Sequence, residues 1–266
     1  MAGTDDASTA AGERPDGYVQ SFERGLAVIT AFSEQAPRLT LSEVARRCDI
    51  TRAAARRYLI TLQALGYVGS DGRDFFLLPR VLELGYAYLS SSTLADVAQA
   101  RLAPLAGRLG ESCSASVLDG DDIVYIARAS TNRIMSIALA VGTRLPAYCT
   151  SMGRIMLAAL PDEELAAYLD RVQPEELTAR TITGKEALRA EILAARERGW
   201  CTVNQELELG VRSIAVPLHD AQGVIGAMNV SVHATRISVD ELETTVLAQA
   251  RECAAAIDDD LRIRRV

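Results

Sequence analysis

Between Thr40 and Val68 the apolar positions recur at helical spacing in two short runs separated by a tight turn. Thr40 can cap the free amides of a first helix that buries Leu41, Val44 and Ala45 and stops near Cys48, with Asp49 and Ile50 turning the chain. Thr51 caps a second helix in which Ala55, Leu59 and Leu62 stand at i, i+4 and i+7, and Tyr58 and Leu65 widen the stripe. Its opposite face carries Arg52, Arg56 and Arg57, while the small Ala53 and Ala54 let the backbone approach a groove edge. Guanidinium groups so placed reach phosphates or the O6/N7 edge of guanine, which makes the pair a helix-turn-helix with the second helix as reader.

The flanking patterns extend this unit. Upstream, Ser21 is expected to cap a helix with Phe22, Leu26, Ile29 and Phe32 at helical spacing, closing a three-helix core. Downstream, Tyr67 to Gly69 and Asp74 to Leu78 flank Ser70-Asp71-Gly72-Arg73, whose Asp-Gly step signals a tight hairpin. Three helices and a hairpin make a winged helix, with Arg73 at the wing tip beside phosphate or minor groove. Pro79 then opens a helix through Val81, Leu82, Leu84, Gly85 and Leu89 to the Ser90-Ser91-Ser92 break, and a second stretch runs from Leu94 to Leu109, kinked or divided at Pro104. The stripe of Leu82, Leu89, Leu94 and Val97 is a candidate dimer surface, with packing onto the neighbouring domain as its plain alternative.

From Cys113 onward the apolar runs shorten to strand length: Ser114 to Leu118, Ile123 to Ala129, Ile134 to Ala140, Thr202 to Asn204, Arg212 to Pro217 and Val224 to Val232. Asp119 to Asp122 and Asp220 to Gly223 read as hairpin connections. Helices are expected at Ser151 to Leu160, Asp162 to Leu169, Lys185 to Arg198 and after the Ser238-x-x-Glu241 capping box. The fold class is therefore α/β (α+β) with a mainly antiparallel sheet. The expected divisions are a disordered leader over 1–17, a winged helix-turn-helix over 18–79, a linker helix over 80–93 and an α/β domain over 94–266.

Charge supports this placement: residues 18–80 carry +3 within a chain of net −7. Counterion release depends on the local cations, so the acidic total does not exclude DNA. No apolar run suits a signal peptide or a membrane span, and a cytoplasmic protein is expected. The five cysteines, Cys48, Cys113, Cys149, Cys201 and Cys253, lack CxxC spacing, and His219 and His233 are too far apart for a helical ligand pair, which disfavours disulfide and zinc frameworks. No cofactor is expected. Nucleophile-elbow, Walker A, dinucleotide and HExxH motifs are missing, leaving Cys149 with a histidine base as the one enzymatic arrangement to weigh, against a reading as a non-enzyme.

Thr150-Ser151-Met152-Gly153 places hydroxyls and free amides at a helix start, a seat for a carboxylate as well as an ordinary cap. Asn229 and Ser231 share a strand face and need polar partners, which ligand or water can supply. Arg133 and Arg144 are possible grips for an acid, and Tyr148 is a possible stacking surface or a packing residue. Glu206 and Glu208 would repel an anion and are placed outside such a pocket.

The segments Ser21-Phe22-Glu23-Arg24-Gly25-Leu26, Leu41-Ser42-Glu43-Val44-Ala45, Leu65-Gly66-Tyr67-Val68, Leu82-Glu83-Leu84-Gly85 and Gly210-Val211-Arg212-Ser213-Ile214-Ala215-Val216-Pro217 occur in an order that resembles the IclR family of bacterial transcription regulators. Thr51 to Arg57, Arg133 to Ser136 and Gly142 to Tyr148 resemble its PcaU/PcaR/PobR branch, whose members respond to aromatic acids or their ring-cleavage products. The resemblance implies a GAF-like effector domain, a homodimer or dimer of dimers on double-stranded operator DNA, and a small aromatic or dicarboxylic acid effector. It implies effector contacts from Ser151, Met152, Gly153, Ser213, Asn229 and Ser231, to which the reading above adds Arg133 and Tyr148. The DNA-contacting set is Thr51, Arg52, Ala53, Arg56, Arg57 and Arg73. A ligand-independent winged-helix DNA binder and an enzyme acting on small acids are the alternatives.

Overall fold

The computed structural model describes residues 15–130 and 139–264, and its first helix, α1 (Gln20–Thr30), departs from the expected pattern. It starts after Val19 with no side-chain cap, so Ser21 does not hold its N-terminus. The helix carries apolar residues on more than one face. Val28 and Phe32 enter the core and Ile29 is partly buried, while Phe22 and Leu26 are 67% and 44% exposed.

The rest of the first unit, which ends at Gly85, follows local chemistry closely. β1 (Leu39–Thr40) leads into α2 (Leu41–Arg47), and Thr40 and Glu43 cap that helix reciprocally. Asp49 takes the left-handed conformation in the turn, and Thr51 accepts from the Ala54 amide to start α3 (Arg52–Ala64). Ala55, Leu59 and Leu62 of α3 are buried with Val28, Val44 and Ala45 in one apolar core. β2 (Val68–Ser70) and β3 (Asp74–Leu77) form the antiparallel wing, and β1 adds a third strand too short to show in any sequence alternation. After a 3-10 turn at Pro79–Val81 comes α4 (Leu82–Ser91), within which the division between the two units falls.

The second unit, from Tyr86 onward, is built on a six-stranded antiparallel sheet. α5 (Thr93–Leu109) runs through Pro104 as one helix. It precedes β4 (Ser112–Asp119), β5 (Asp122–Ala129) and β6 (Arg144–Pro146), the last of these unanticipated. Then come α6 (Ser151–Ala158), α7 (Asp162–Arg171), α8 (Lys185–Arg198), β7 (Cys201–Asn204), β8 (Val211–Asp220) and β9 (Gly223–His233). The chain closes with α9 (Val239–Glu241), a π turn over Leu242–Val246 and α10 (Leu247–Arg264). The spatial order is β6-β5-β4-β9-β8-β7. The strand expected over 134–140 falls mainly outside the described residues, and Leu139 and Ala140 lie in none.

Period-two alternation gives this sheet two dissimilar faces. Cys113, Ala115, Ile214, Val216, Met228, Val230 and Val232 meet α5 and α10 in an apolar core. The other face, against α6 and α8, carries Tyr125, Ala215 and Ala227 among serines and Asn229. The stripe proposed as a dimer surface is split by this packing: Leu94 and Val97 belong to the apolar core and Leu89 packs against it, leaving Leu82 exposed. Leu84, Tyr86 and Tyr88 on α4 are exposed as well.

Candidate functional sites

Arg52, Ala53, Arg56 and Arg57 are all exposed on α3, whose inner face is fixed by Ala55, Leu59 and Leu62. Thr51, exposed and N-terminal to them, is occupied through its hydroxyl with the Ala54 amide, 3.2 Å away. At the wing, Asp71 accepts from the amides of Arg73 and Asp74 and pairs with Arg38, which lies over the Phe76 ring. The Asp74 and Arg73 amides, followed by Arg38, draw its carboxyl down to about 2. Gly72 supplies the positive φ the tip requires. Arg73 extends from this rigid turn with its side chain 87% exposed, 4.0 Å from Asp74. Elsewhere in the unit, Phe22, Leu26, Ile29, Tyr58, Leu65 and Leu84 line an apolar groove of about 500 Å³.

The second site lies where α6 begins over the sheet. Thr150 caps the helix through the Gly153 amide at 3.2 Å, and a 3-10 turn at Ala147–Cys149 packs directly on Gly153. A β-carbon at Gly153 would sit 2.2 Å from the Ala147 carbonyl oxygen, so only glycine admits this approach. Ser151 shares a 2.8 Å hydrogen bond with Ser213, and the Ser116 hydroxyl donates to the Met152 sulfur at 3.3 Å. Ser213 and Ser231 are cross-strand partners, as are Ser231 and Ser112. Asn229 donates through Nδ2 to Ser231 at 3.1 Å, while its buried Oδ1 has no hydrogen-bond partner. Ser151, Met152, Gly153, Ser213, Asn229 and Ser231 are therefore gathered in one buried region between α6 and strands β4, β9 and β8.

Other expectations for this site need correction. Tyr148 is buried, and its hydroxyl donates to the Glu175 carbonyl and accepts from the Glu175 amide, which anchors a loop and fits the packing role that stood beside stacking in the sequence. Glu206, expected outside the pocket, is buried beneath α6 in a bidentate pair with Arg154 at 2.7 and 2.5 Å. Arg154 also donates to the Tyr148 carbonyl, and Glu206 accepts from the Ile182 amide. The pair thus neutralises the carboxylate that would repel an acid, and ties the start of α6 to two loops. Arg144 lies on the surface, paired with Asp119 and Asp122. Arg133 lies outside the described residues. Burial pushes the Cys149 thiol up to about 12, the opposite of what a nucleophile needs.

Arg128, Ser114 and Arg154 escaped sequence reasoning. Strict alternation from Tyr125 would send Arg128 to the α5 side of the sheet. A bulge intervenes: Ala115 pairs with Ala127 but Ser116 with Tyr125, leaving Ile126 as the extra residue. Arg128 is thereby returned to the α6 side, where its guanidinium donates to Ser114 at 3.4 Å. Burial lowers the Arg128 pKa, and among the described residues no carboxylate pairs with it.

Residues 86–259 match the family model described as "Bacterial transcriptional regulator IclR C-terminal", and residues 21–72 match "IclR helix-turn-helix domain". The Pca regulon regulatory protein of Pseudomonas putida is 52% identical over 235 residues, spanning 88% of this chain and 80% of that protein. A transcriptional regulator from Rhodococcus sp. RHA1, of known crystal structure, is 51% identical with a TM-score of 0.83, covering 92% of this chain and 98% of the other. The inducer-binding domain of an Acinetobacter PobR double mutant, solved with 3-hydroxybenzoic acid, is 32% identical with a TM-score of 0.58. That match covers 62% of this chain and 97% of the domain.

Proposed function

The chain belongs to the IclR family of bacterial transcriptional regulators, and from that premise we propose that it regulates genes of aromatic-acid catabolism by binding operator DNA under the control of a small carboxylic acid. The observation that carries this reading is the buried polar region beneath α6, which brings together hydroxyls, helix amides and an unsatisfied Asn229 oxygen in a domain whose other core is apolar. Buried polar atoms cost stability unless paired, and a ligand is a partner that such a site can await. The relatives named for the Pca regulon and the PobR domain holding a hydroxybenzoic acid support the same class of signal.

DNA is bound through Thr51, Arg52, Ala53, Arg56 and Arg57 of α3 and through Arg73 of the wing. The effector is bound through Ser151, Met152, Gly153, Ser213, Asn229 and Ser231. A second copy of the chain is recruited through the exposed apolar residues of α1 and α4, because one reading helix covers few base pairs and two half-sites multiply discrimination. Effector binding changes the fraction of the protein competent to hold operator, as any ligand with unequal affinity for two states must.

The test joins two measurements on the full chain. Thermal unfolding with 4-hydroxybenzoate, protocatechuate, cis,cis-muconate or β-ketoadipate is expected to show a raised Tm with the acid that binds the native state. The same acid is then expected to change retention of DNA fragments selected on the immobilised protein. Retention unaltered by an acid that does bind would reduce the protein to a DNA binder deaf to that ligand, and the regulated reading would be lost.

A further inference from the structure

We propose that the effector is a monoanionic aromatic hydroxy acid, its carboxylate held by Arg128 and its hydroxyl by Asn229, with Ser114 on the floor between them. This rests on the effector reading above and narrows it to one chemical class. Arg128, Ser114 and Asn229 form a single row across adjacent strands, since Ser114 pairs with Arg128 on β5 and with Asn229 on β9. Neighbouring strands stand about 4.8 Å apart, so the two outer residues are about 10 Å apart at the backbone. Their side chains close part of that gap from either end. A single benzene ring with substituents at opposite ends matches the length of that row.

Charge selects among acids of this length. Arg154 is on the same side of the sheet but is neutralised by Glu206. Arg212 belongs to the other side of its strand, where it donates to Asn204 and to the Ile237 carbonyl. Arg144 is held by Asp119 and Asp122 at the surface. Among the described strand residues, Arg128 is thus the one arginine on this face of the sheet without an acidic partner. Its partial burial weakens the hydration of the guanidinium, and a carboxylate would restore part of what is lost. A dicarboxylate would place a second charge among serines and Asn229, where no described strand residue offers a cation to meet it, and desolvating that charge disfavours binding.

The far end of the row supplies the complementary chemistry. Asn229 is 4% exposed and spends its amide nitrogen on Ser231, leaving the carbonyl oxygen Oδ1 unsatisfied. An aromatic hydroxyl has a proton to donate there. An ionised second carboxylate has none, and would set oxygen against oxygen. Met152 and Tyr125, both buried on this side, offer polarizable and aromatic contact for the ring itself.

Calorimetric titration of the full chain with 4-hydroxybenzoate, protocatechuate, benzoate, cis,cis-muconate and β-ketoadipate tests the assignment. The hydroxybenzoates are expected to bind about tenfold more tightly than benzoate and more tightly than either dicarboxylate. Arg128→Met should weaken every benzoate by about 10- to 100-fold, with Arg128→Lys recovering part of the loss. Asn229→Ala should bring the hydroxybenzoates down to the affinity of benzoate while leaving benzoate within about threefold of its wild-type value. A cooperative melting transition and unchanged DNA retention without acid would establish that the variants are folded. A dicarboxylate bound more tightly than the hydroxybenzoates, or hydroxybenzoate affinity untouched in a folded Arg128→Met variant, overturns the inference and leaves the broader effector reading in place. No binding of any of the five acids to the wild type overturns both.

Discussion

On α3, Arg52, Arg56 and Arg57 stand in solvent on a helix whose stability comes from the opposite face, whereas beneath α6 the candidate contacts are themselves buried and already bonded to one another. The first arrangement keeps function and fold apart. A solvated guanidinium has no desolvation cost while it waits, and removing it opens no cavity. The second makes them inseparable, because each serine, the Asn229 amide and the Arg154–Glu206 pair serve both the packing of α6 and any ligand that enters. Substitutions on α3 should therefore change DNA affinity at constant stability, and substitutions beneath α6 should change effector affinity and stability together.

The strongest test of that contrast is Glu206→Ala. It leaves the Arg154 guanidinium buried without its carboxylate and frees the Ile182 amide, and loss of one member of a buried pair typically costs about 3–5 kcal/mol. Chemical denaturation should show a drop of that size, with effector binding weakened as α6 loosens. A drop below about 1 kcal/mol, the range of exposed pairs, would mean that water reaches the pair and that the site is not sealed.

Gly153→Ala comes next. The added carbon must displace the backbone of the Ala147–Cys149 turn, since its nearest neighbour is a carbonyl oxygen rather than a flexible side chain. Overpacking of this kind costs about 1–3 kcal/mol. Tm should fall and acid binding should weaken, while retention of DNA by the unliganded protein stays within twofold, roughly RT ln 2 at most. An equal loss of DNA retention would contradict the separation of the two regions.

The same contrast decides what could be read from the residues alone. Helix caps at Thr40, Thr51 and Ser238, the wing turn at Asp71-Gly72 and both long hairpins announce themselves because each depends on residues a few positions apart. α1 misled because its apolar residues occupy two faces, and periodicity does not say which one the core takes. Phe22 and Leu26 went to the exposed groove and Val28 to the core. Beneath α6 the gathering of Ser151, Ser213, Asn229 and Ser231 followed from the resemblance, but Arg128 was hidden by a one-residue bulge. The Arg154–Glu206 pair was hidden by the 52 residues separating its members. Isolated charges in a strand or helix carry no local mark of the partner that long-range packing will bring.

On the exposed side, Arg52→Ala and Arg56→Ala should each cost about 1–3 kcal/mol in operator affinity where they contact bases, and relax discrimination at the positions they read. Competition binding against altered sites measures this. Tm should stay within about 1 °C of the wild type, because neither side chain touches the core formed by Ala55, Leu59 and Leu62. A double variant that binds operator as the wild type does would remove α3 as the reading helix. A large fall in Tm would instead show that the outer face supports the fold.

Arg73→Ala should have the smallest effect and the most distinctive signature. The wing turn is held by Asp71 through the amides of Arg73 and Asp74 and through Arg38, none of which involves the Arg73 side chain. Its removal should leave the turn intact and delete one mobile cation. A cation meeting phosphate contributes through counterion release, so affinity should fall almost equally for specific and unrelated DNA, and the slope of log affinity against log salt should become shallower by about one. An unchanged slope would place the wing tip away from the DNA backbone. A loss confined to one operator sequence would instead make Arg73 a reader of the minor groove, and the wing would then join α3 in specifying the site.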